Sequence, residues 1–319
     1  MDIFVTGATG VLGRATVPML IAAGHRVRGL ARSGGNAALL REMGAESVTA
    51  DLFDADSLGP TLAGCDAILH LATHIPPTSK AGRLPAWREN DHIRREGTQA
   101  LVAAALATGV QTLIYPSIVY LYPDSGDRWI AADSTPVMPH PIMQSTVDAE
   151  EAVREFAADA RRGIVLRMGT LYGPEAPTTE ELRRAARMGI TAFPGARDAY
   201  LPMVWVQDAA RALVAALAAP AGIYDVVDDT PLPRGEVFAA IAHSVGRERL
   251  RVLPRWLMGM LASATVDALS RSQRVSNRRF KAVVDWTPTV PDAHAGWARI
   301  ADAARVGAAR PSPELAQRP

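Results

Sequence analysis

The chain has 319 residues, 48% of them hydrophobic, enough to bury one large α/β core, alone or with a smaller lobe. Its 34 basic and 33 acidic residues leave a formal net charge of +1, so the clustered positive excess that nucleic acid requires is missing and no such partner is expected. A single cysteine, Cys65, cannot close an internal disulfide, strand-like sequence begins at Asp2 with no leader pattern before it, and no run of 18 apolar residues occurs; we expect a cytoplasmic protein with no membrane partner.

The first apolar run, IFVTG, reads as a strand and leads directly into TGATGVLGRA, where Gly7, Gly10 and Gly13 open a helix. Glycine is needed where the chain turns tightly, where backbone approaches a pyrophosphate and where helix packs on strand. Strand, glycine turn and helix in this order predict a dinucleotide site, with Thr9, Val11 and Leu12 completing the turn that brings a phosphate to the helix N-terminus. The second strand, RVRGLA, ends at Ala31, where a chain selecting NAD usually presents an acid to the ribose; Arg32 and Ser33 follow instead. A guanidinium there suits a 2′-phosphate, which makes NADP(H) the expected cofactor ahead of NAD(H); the alternative is that Arg32 is a solvated loop charge. The third strand should end at Asp51 and Leu52, near the adenine ring, and the fourth, AILHLA, at Leu71, Ala72 and Thr73.

Further along, GTQALVAAALATG and DAARALVAALAAP have helical spacing, whereas TLIYPSIVY and GIVLRM read as strands. Alternating strand and helix implies an α/β fold, a doubly wound parallel sheet covered on both faces. After about residue 175, APTTEELRRAARMG, PRGEVFAAIAHSVG and LPRWLMGMLASATVDALS read as helices with few strands between them. The expected division is a nucleotide domain over 1–174 completed by strands from 200–228, a small, mostly helical substrate lobe over 175–200 and 229–306, and a flexible tail over 307–319. No metal site is expected.

TGATGVLG, TADL, LHLAT, the pair Gly97-Thr98, VLRMGTLYGP, VWVQDAARALVAAL and GIYDVVDDTPLPRGEVF together resemble the extended short-chain dehydrogenase/reductase family, in its NAD-dependent epimerase/dehydratase branch, to about residue 300. The resemblance implies a Rossmann sheet of about seven strands, and a homodimer formed by the helices around residues 94–108 and 144–161. It also implies a relay: a serine or threonine after the fifth strand, Tyr-x-x-x-Lys on the next helix, and an asparagine on the helix before. The tyrosine moves the substrate proton while the lysine lowers its pKa. Laid on PIMQSTVDAEE, this pattern puts Met143 at the tyrosine and Val147 at the lysine; Ile118 falls at the serine, with Ser117 on the other side of the strand, and Arg94 at the asparagine. The residues four after the six tyrosines are Val, Asp, Gly, Ala, Val and Asp, so no Tyr-x-x-x-Lys occurs anywhere in the chain.

His74, Arg94, Ser117, Tyr120 and Tyr122 are the candidates to replace the relay. His74 and His140 lie in Pro-rich loops, where a histidine is either solvated or free to titrate near neutrality. Arg94, a permanent cation lining the site, needs an acid such as Asp91 or Asp124, the cofactor phosphates or a substrate anion. Tyr120 and Tyr122 alternate across the strand end, so one of them should face the pocket. Ile118, His140, Met143, Val147 and Tyr172 outline a pocket more apolar than a sugar-nucleotide site and point to a hydrophobic small-molecule substrate. Three activities fit: an NADP(H)-dependent oxidoreductase with a substitute donor, a redox-neutral cyclase, isomerase or lyase, and a non-catalytic dinucleotide sensor.

Overall fold

A computed structural model describes residues 1–77, 80–81, 83–158, 160–191, 193–252 and 265–309. Seven strands, β1 (Asp2–Thr6), β2 (Arg26–Leu30), β3 (Glu46–Val48), β4 (Ala67–His70), β5 (Thr112–Ile118), β6 (Arg162–Met168) and β7 (Gly222–Val226), form one parallel sheet in the order β7-β6-β5-β4-β1-β2-β3. The order reverses between β1 and β4, so successive connections leave in opposite directions there and open a crevice at the carboxyl ends of the strands.

Helices on both faces explain why β1, β4 and β5 are buried along nearly their whole length. Ile3 and Val5 point into one core layer with residues of α1 (Val11–Ala22) and α8 (Val206–Ala215), while Phe4 points into the other with α3 (Ala55–Leu62), α5 (Thr98–Thr108) and α6 (Gln144–Phe156). Cys65 is buried in the second layer, where burial pushes its thiol pKa up, as suits a packing residue.

The expected contribution of residues 200–228 to this sheet needs correcting, because only β7 joins it. Met203–Trp205 pairs in parallel with Thr170–Tyr172, and Tyr200–Leu201 pairs antiparallel with Leu232–Pro233. At Gly169, after β6, a Cβ would stand 2.9 Å from the Met203 backbone, so only glycine lets the two segments pass this closely where they pair beside the main sheet. These short strands, with α7 (Pro177–Arg187), α9 (Arg234–Ser244) and the helix Ala293–Ala309, surround a separate core that includes Tyr172, Trp205, Val237, Ile241 and Trp297. The last helix continues to Ala309, so 307–309 belong to it rather than to a tail, whereas 253–264 and 310–319 lie outside the described residues. Among the described residues no helix is long and apolar enough to cross a membrane.

Candidate active site

The glycine turn brings the ends of β1 and β4 together. Gly7 has φ +63°, and a Cβ on it would lie 2.5 Å from the Leu71 backbone; one on Gly13 would lie 2.4 Å from backbone atoms of Gly7 and Ala8. Gly10 caps α1 with extended backbone, no side-chain cap and no acid in the first turn, so the helix presents free N–H groups to an anion. Thr9, Val11 and Leu12 are partly buried around it, and Leu71, Ala72 and Thr73 pass from buried to exposed along the facing edge. Residues and backbone here fit a dinucleotide pyrophosphate.

At the outer end, Ala31 is buried and Arg32 exposed, with its Nη1 3.6 Å from Glu89 Oε1. The same carboxylate oxygen lies 3.5 Å from His74 Nδ1, which places His74 beside Arg32 rather than in the apolar cluster described below. Ser33 is committed to capping α2 (Gly34–Glu42), accepting from Asn36 N at 3.2 Å. Asp51 lies three residues beyond the end of β3, not at it, because its carboxylate closes a turn by accepting from Phe53 N at 2.9 Å. Leu52 packs against Gly97, and Phe53 stacks on His92 with ring centroids 4.0 Å apart.

Beneath the turn runs a buried polar chain. The Ala72 N–H donates to Thr6 Oγ1 at 3.2 Å, Thr6 Oγ1 stands 2.7 Å from His70 Nδ1, and His70 Nε2 stands 3.1 Å from Thr98 Oγ1. With Thr6 accepting from Ala72, its hydroxyl is free to donate to Nδ1, which puts the histidine proton on Nε2. Burial, helped by the nearby Arg94 charge, pushes the His70 pKa down to about 4, so the ring is neutral.

Arg94 sits on a π turn (Ile93–Gly97) between α4 (Arg88–His92) and α5, and only 7% of it is exposed. One of its nitrogens donates to Thr146 Oγ1 and its Nε has no partner. Neither acid expected from the sequence pairs with it: Asp91 accepts from Ser145 Oγ at 2.7 Å, and Asp124 from Gly126 N at 3.1 Å.

Ile118, Tyr120, Met143 and Val147 come together in one apolar cluster with Leu121, Ile142, Ala268 and Leu269. Ile118 ends β5, the chain coils tightly over Val119–Leu121, and a second tight turn, Pro141–Met143, leads into α6; His140 Nδ1 accepts from Ile142 N at 3.4 Å to cap it. Met143 and Val147, four apart, thus lie on one helical face. The Tyr120 hydroxyl bonds Thr170 Oγ1, and burial raises its pKa.

Ser117 and Tyr122 are elsewhere. Ser117 donates to Glu150 Oε1, on the side of β5 away from Ile118, and the fully buried Tyr122 donates to Asp225 Oδ1 at 2.8 Å. Arg167 links them: it donates Nε and Nη2 to Glu150 at 3.0 and 2.6 Å, and its guanidinium carbon lies 4.9 Å from the Tyr122 ring centroid. Tyr172 also lies outside the cluster. Its ring packs edge-on against Trp205 and stacks on Trp297, and its hydroxyl lies 3.2 Å from Asp228 Oδ2, so the core of the smaller lobe consumes it.

Of the five relay candidates, Tyr120 alone is in the apolar cluster, and Arg94 reaches its border through Thr146, the neighbour of Val147. Sequence reasoning missed Glu150, Arg167 and Asp225. A signal existed, since Arg167 interrupts the otherwise apolar GIVLRM, and a charge in a buried strand demands a partner.

The profile of the NAD dependent epimerase/dehydratase family matches residues 3–227. The chain belongs to that family. Within curated proteins, a 3-diazoavenalumate denitrifying reductase from a Streptomyces species is 30% identical over 94% of this chain and 100% of its own length. A 2-alkyl-3-oxoalkanoate reductase from Shewanella oneidensis is 26% identical over 88% of this chain and 75% of its own length. Human epimerase family protein SDR39U1, solved with NADPH, superposes with a TM-score of 0.80 at 23% identity, covering 95% of this chain and 99% of that one. MoeE5, solved with UDP-glucose and NAD, gives 0.76 at 21%, covering 97% and 100%. At such identities these structures speak for the fold of this epimerase/dehydratase family member.

Proposed function

We propose that this family member is an NADP(H)-dependent reductase acting on a hydrophobic small molecule without the tyrosine–lysine relay. The observation that carries the reading is the packing of Ile118, Met143 and Val147 into one apolar cluster at the carboxyl end of β5, where the family resemblance puts the relay. Tyr120 contributes a polar hydroxyl to that cluster. Burial raises its pKa and so makes it a weak acid, which suits a hydrogen bond to a substrate oxygen that gains charge as hydride arrives, with Thr170 orienting it. The glycine turn would hold the pyrophosphate and Arg32 the 2′-phosphate; NADPH, when bound, supplies the hydride. Two relatives named as reductases, one for an avenalumate and one for an oxoalkanoate, support this chemistry over that of sugar nucleotides.

The test is twofold. Titration with NADPH and NADH should show tighter binding of NADPH, and equal affinities would remove the NADP(H) assignment. Turnover with a 2-alkyl-3-oxoalkanoate should then fall in Tyr120→Phe with NADPH affinity unchanged; unaltered turnover would remove Tyr120 as donor.

A further inference from the structure

We infer that Arg94 holds the anionic end of the substrate, so that the site takes hydrophobic acids: an apolar body in the Ile118–Met143–Val147 cluster and a carboxylate on the guanidinium. This rests on the reading of that cluster as the substrate pocket.

Arginine stays charged when buried, and a buried charge is stable only with a counter-charge or a full set of hydrogen bonds. Arg94 has neither. Thr146 supplies a neutral oxygen, Nε is unpartnered, and His70, the ring whose pKa its charge depresses, is neutral. The neighbouring acids are committed elsewhere: Asp91 to Ser145, Asp148 to Arg95 at 2.7 Å, and Glu150 to Ser117 and Arg167. Among the described residues no carboxylate pairs with Arg94. The groups around Arg94 are thus one cation and the neutral Thr146 hydroxyl, which matches a singly charged, two-oxygen group better than a phosphate.

The cofactor pyrophosphate does not fill this role. It belongs at the N-terminus of α1, after β1, whereas Arg94 is fastened to Thr146 of α6, one residue from Val147, which packs with Ile118 at the end of β5. Arg94 is buried within the π turn, and its bond to Thr146 holds it against α6.

The experiment measures binding of trans-cinnamate and octanoate, and of their primary amides, to NADP⁺-saturated protein by calorimetry. Each acid should bind about tenfold or more tightly than its amide. Arg94→Gln should erase that ratio while leaving NADP⁺ affinity unchanged, and Arg94→Lys, which keeps the charge but loses the fork, should retain part of it; the lysine variant decides the matter should the glutamine variant fail to fold. Equal binding of acid and amide, no binding of either acid, or a glutamine variant that loses NADP⁺ affinity but keeps the acid preference would each overturn the inference. Wild-type protein that fails to bind NADP⁺ would defeat the cofactor reading instead, and the acid–amide comparison on the unloaded protein would still decide the role of Arg94.

Discussion

Glu150 receives both Nε and Nη2 of Arg167, at 3.0 and 2.6 Å, between side chains that are each less than a tenth exposed. This pair ties α6, which carries Val147, to β6. Removing one partner strands a buried charge, so Glu150→Leu alone and Arg167→Met alone should each cost about 3–5 kcal/mol of folding stability. Replacing both, as Glu150→Leu with Arg167→Met, should cost clearly less than the two single losses added together. Urea denaturation of the three variants measures this, and strictly additive losses would show that the two charges are not coupled.

Burial raises the Asp225 pKa to about 7, and burial lowers that of His70 to about 4. Asp225 keeps its proton in the folded protein while the unfolded chain gives its own up near pH 4, so its contribution to stability is lost as pH rises from about 4 to about 7. His70 works the other way: its contribution is present above pH 6.5 and is lost as pH falls through that value toward 4. The two slopes oppose. Relative to wild type, Asp225→Asn should therefore gain stability as pH rises from 4 to 7, by on the order of 4 kcal/mol at the top of the window, and His70→Asn should lose less than wild type does as pH falls from 6.5 to 4. Denaturation midpoints across this range are the readout; differences that do not vary with pH would contradict both assignments.

Glu89 competes for Arg32. Its carboxylate lies 3.6 Å from the guanidinium that the 2′-phosphate of NADPH would need, at an exposed site where the ion pair itself is weak. Glu89→Gln should tighten NADPH several-fold with little effect on NADH, and Arg32→Ala should remove the NADPH preference, a change on the order of 1–3 kcal/mol. Fluorescence titration of both cofactors checks it. Tighter NADH binding in the Glu89 variant would mean that the carboxylate faces the ribose rather than Arg32.

Restoring the family pair as Met143→Tyr with Val147→Lys places a phenol and a cation in an apolar cluster. We expect natural turnover to fall. Product formation and NADPH oxidation should be followed side by side: faster NADPH-linked turnover in the double variant would mean an impaired ancestral reductase, and conversion by wild type without NADPH oxidation would favour a redox-neutral reaction.

A homodimer through α5 and α6 is expected from their Ala-rich faces and from Leu106, 41% exposed on α5. Scattering-based mass at tens of micromolar should read twice the 34.0 kDa chain mass, and a monomer mass would count against it.

The inner strands of the central sheet were legible because β1, β4 and β5 are short apolar runs buried on both faces, a pattern that local sequence carries; the edge strand β3, Glu46–Val48, is not such a run. The glycine turn was legible for a similar reason, since contacts as close as 2.4 Å leave glycine no substitute. Parity along β5 also placed Ser117 and Ile118 on opposite sides of the strand. The fates of Tyr122 and Tyr172 were not legible. Each is fixed by partners far along the chain, Asp225 for one and Asp228 with Trp297 for the other, and nothing within a few residues of either tyrosine announces them.

The π turn at Ile93–Gly97 bears on how this site could change through length rather than substitution. A π turn accommodates one residue more than regular helix, and each residue of an α-helix advances the direction of its side chains by about 100°. Deleting one residue between Ile93 and Gly97 would let α4 and α5 run on as a single regular helix and rotate everything before the deletion against everything after it. Arg94 would swing away from Thr146, and the segment holding Glu89 and His92 would turn with it. One codon lost there would redraw the charge at both ends of the crevice while leaving every strand of the sheet untouched.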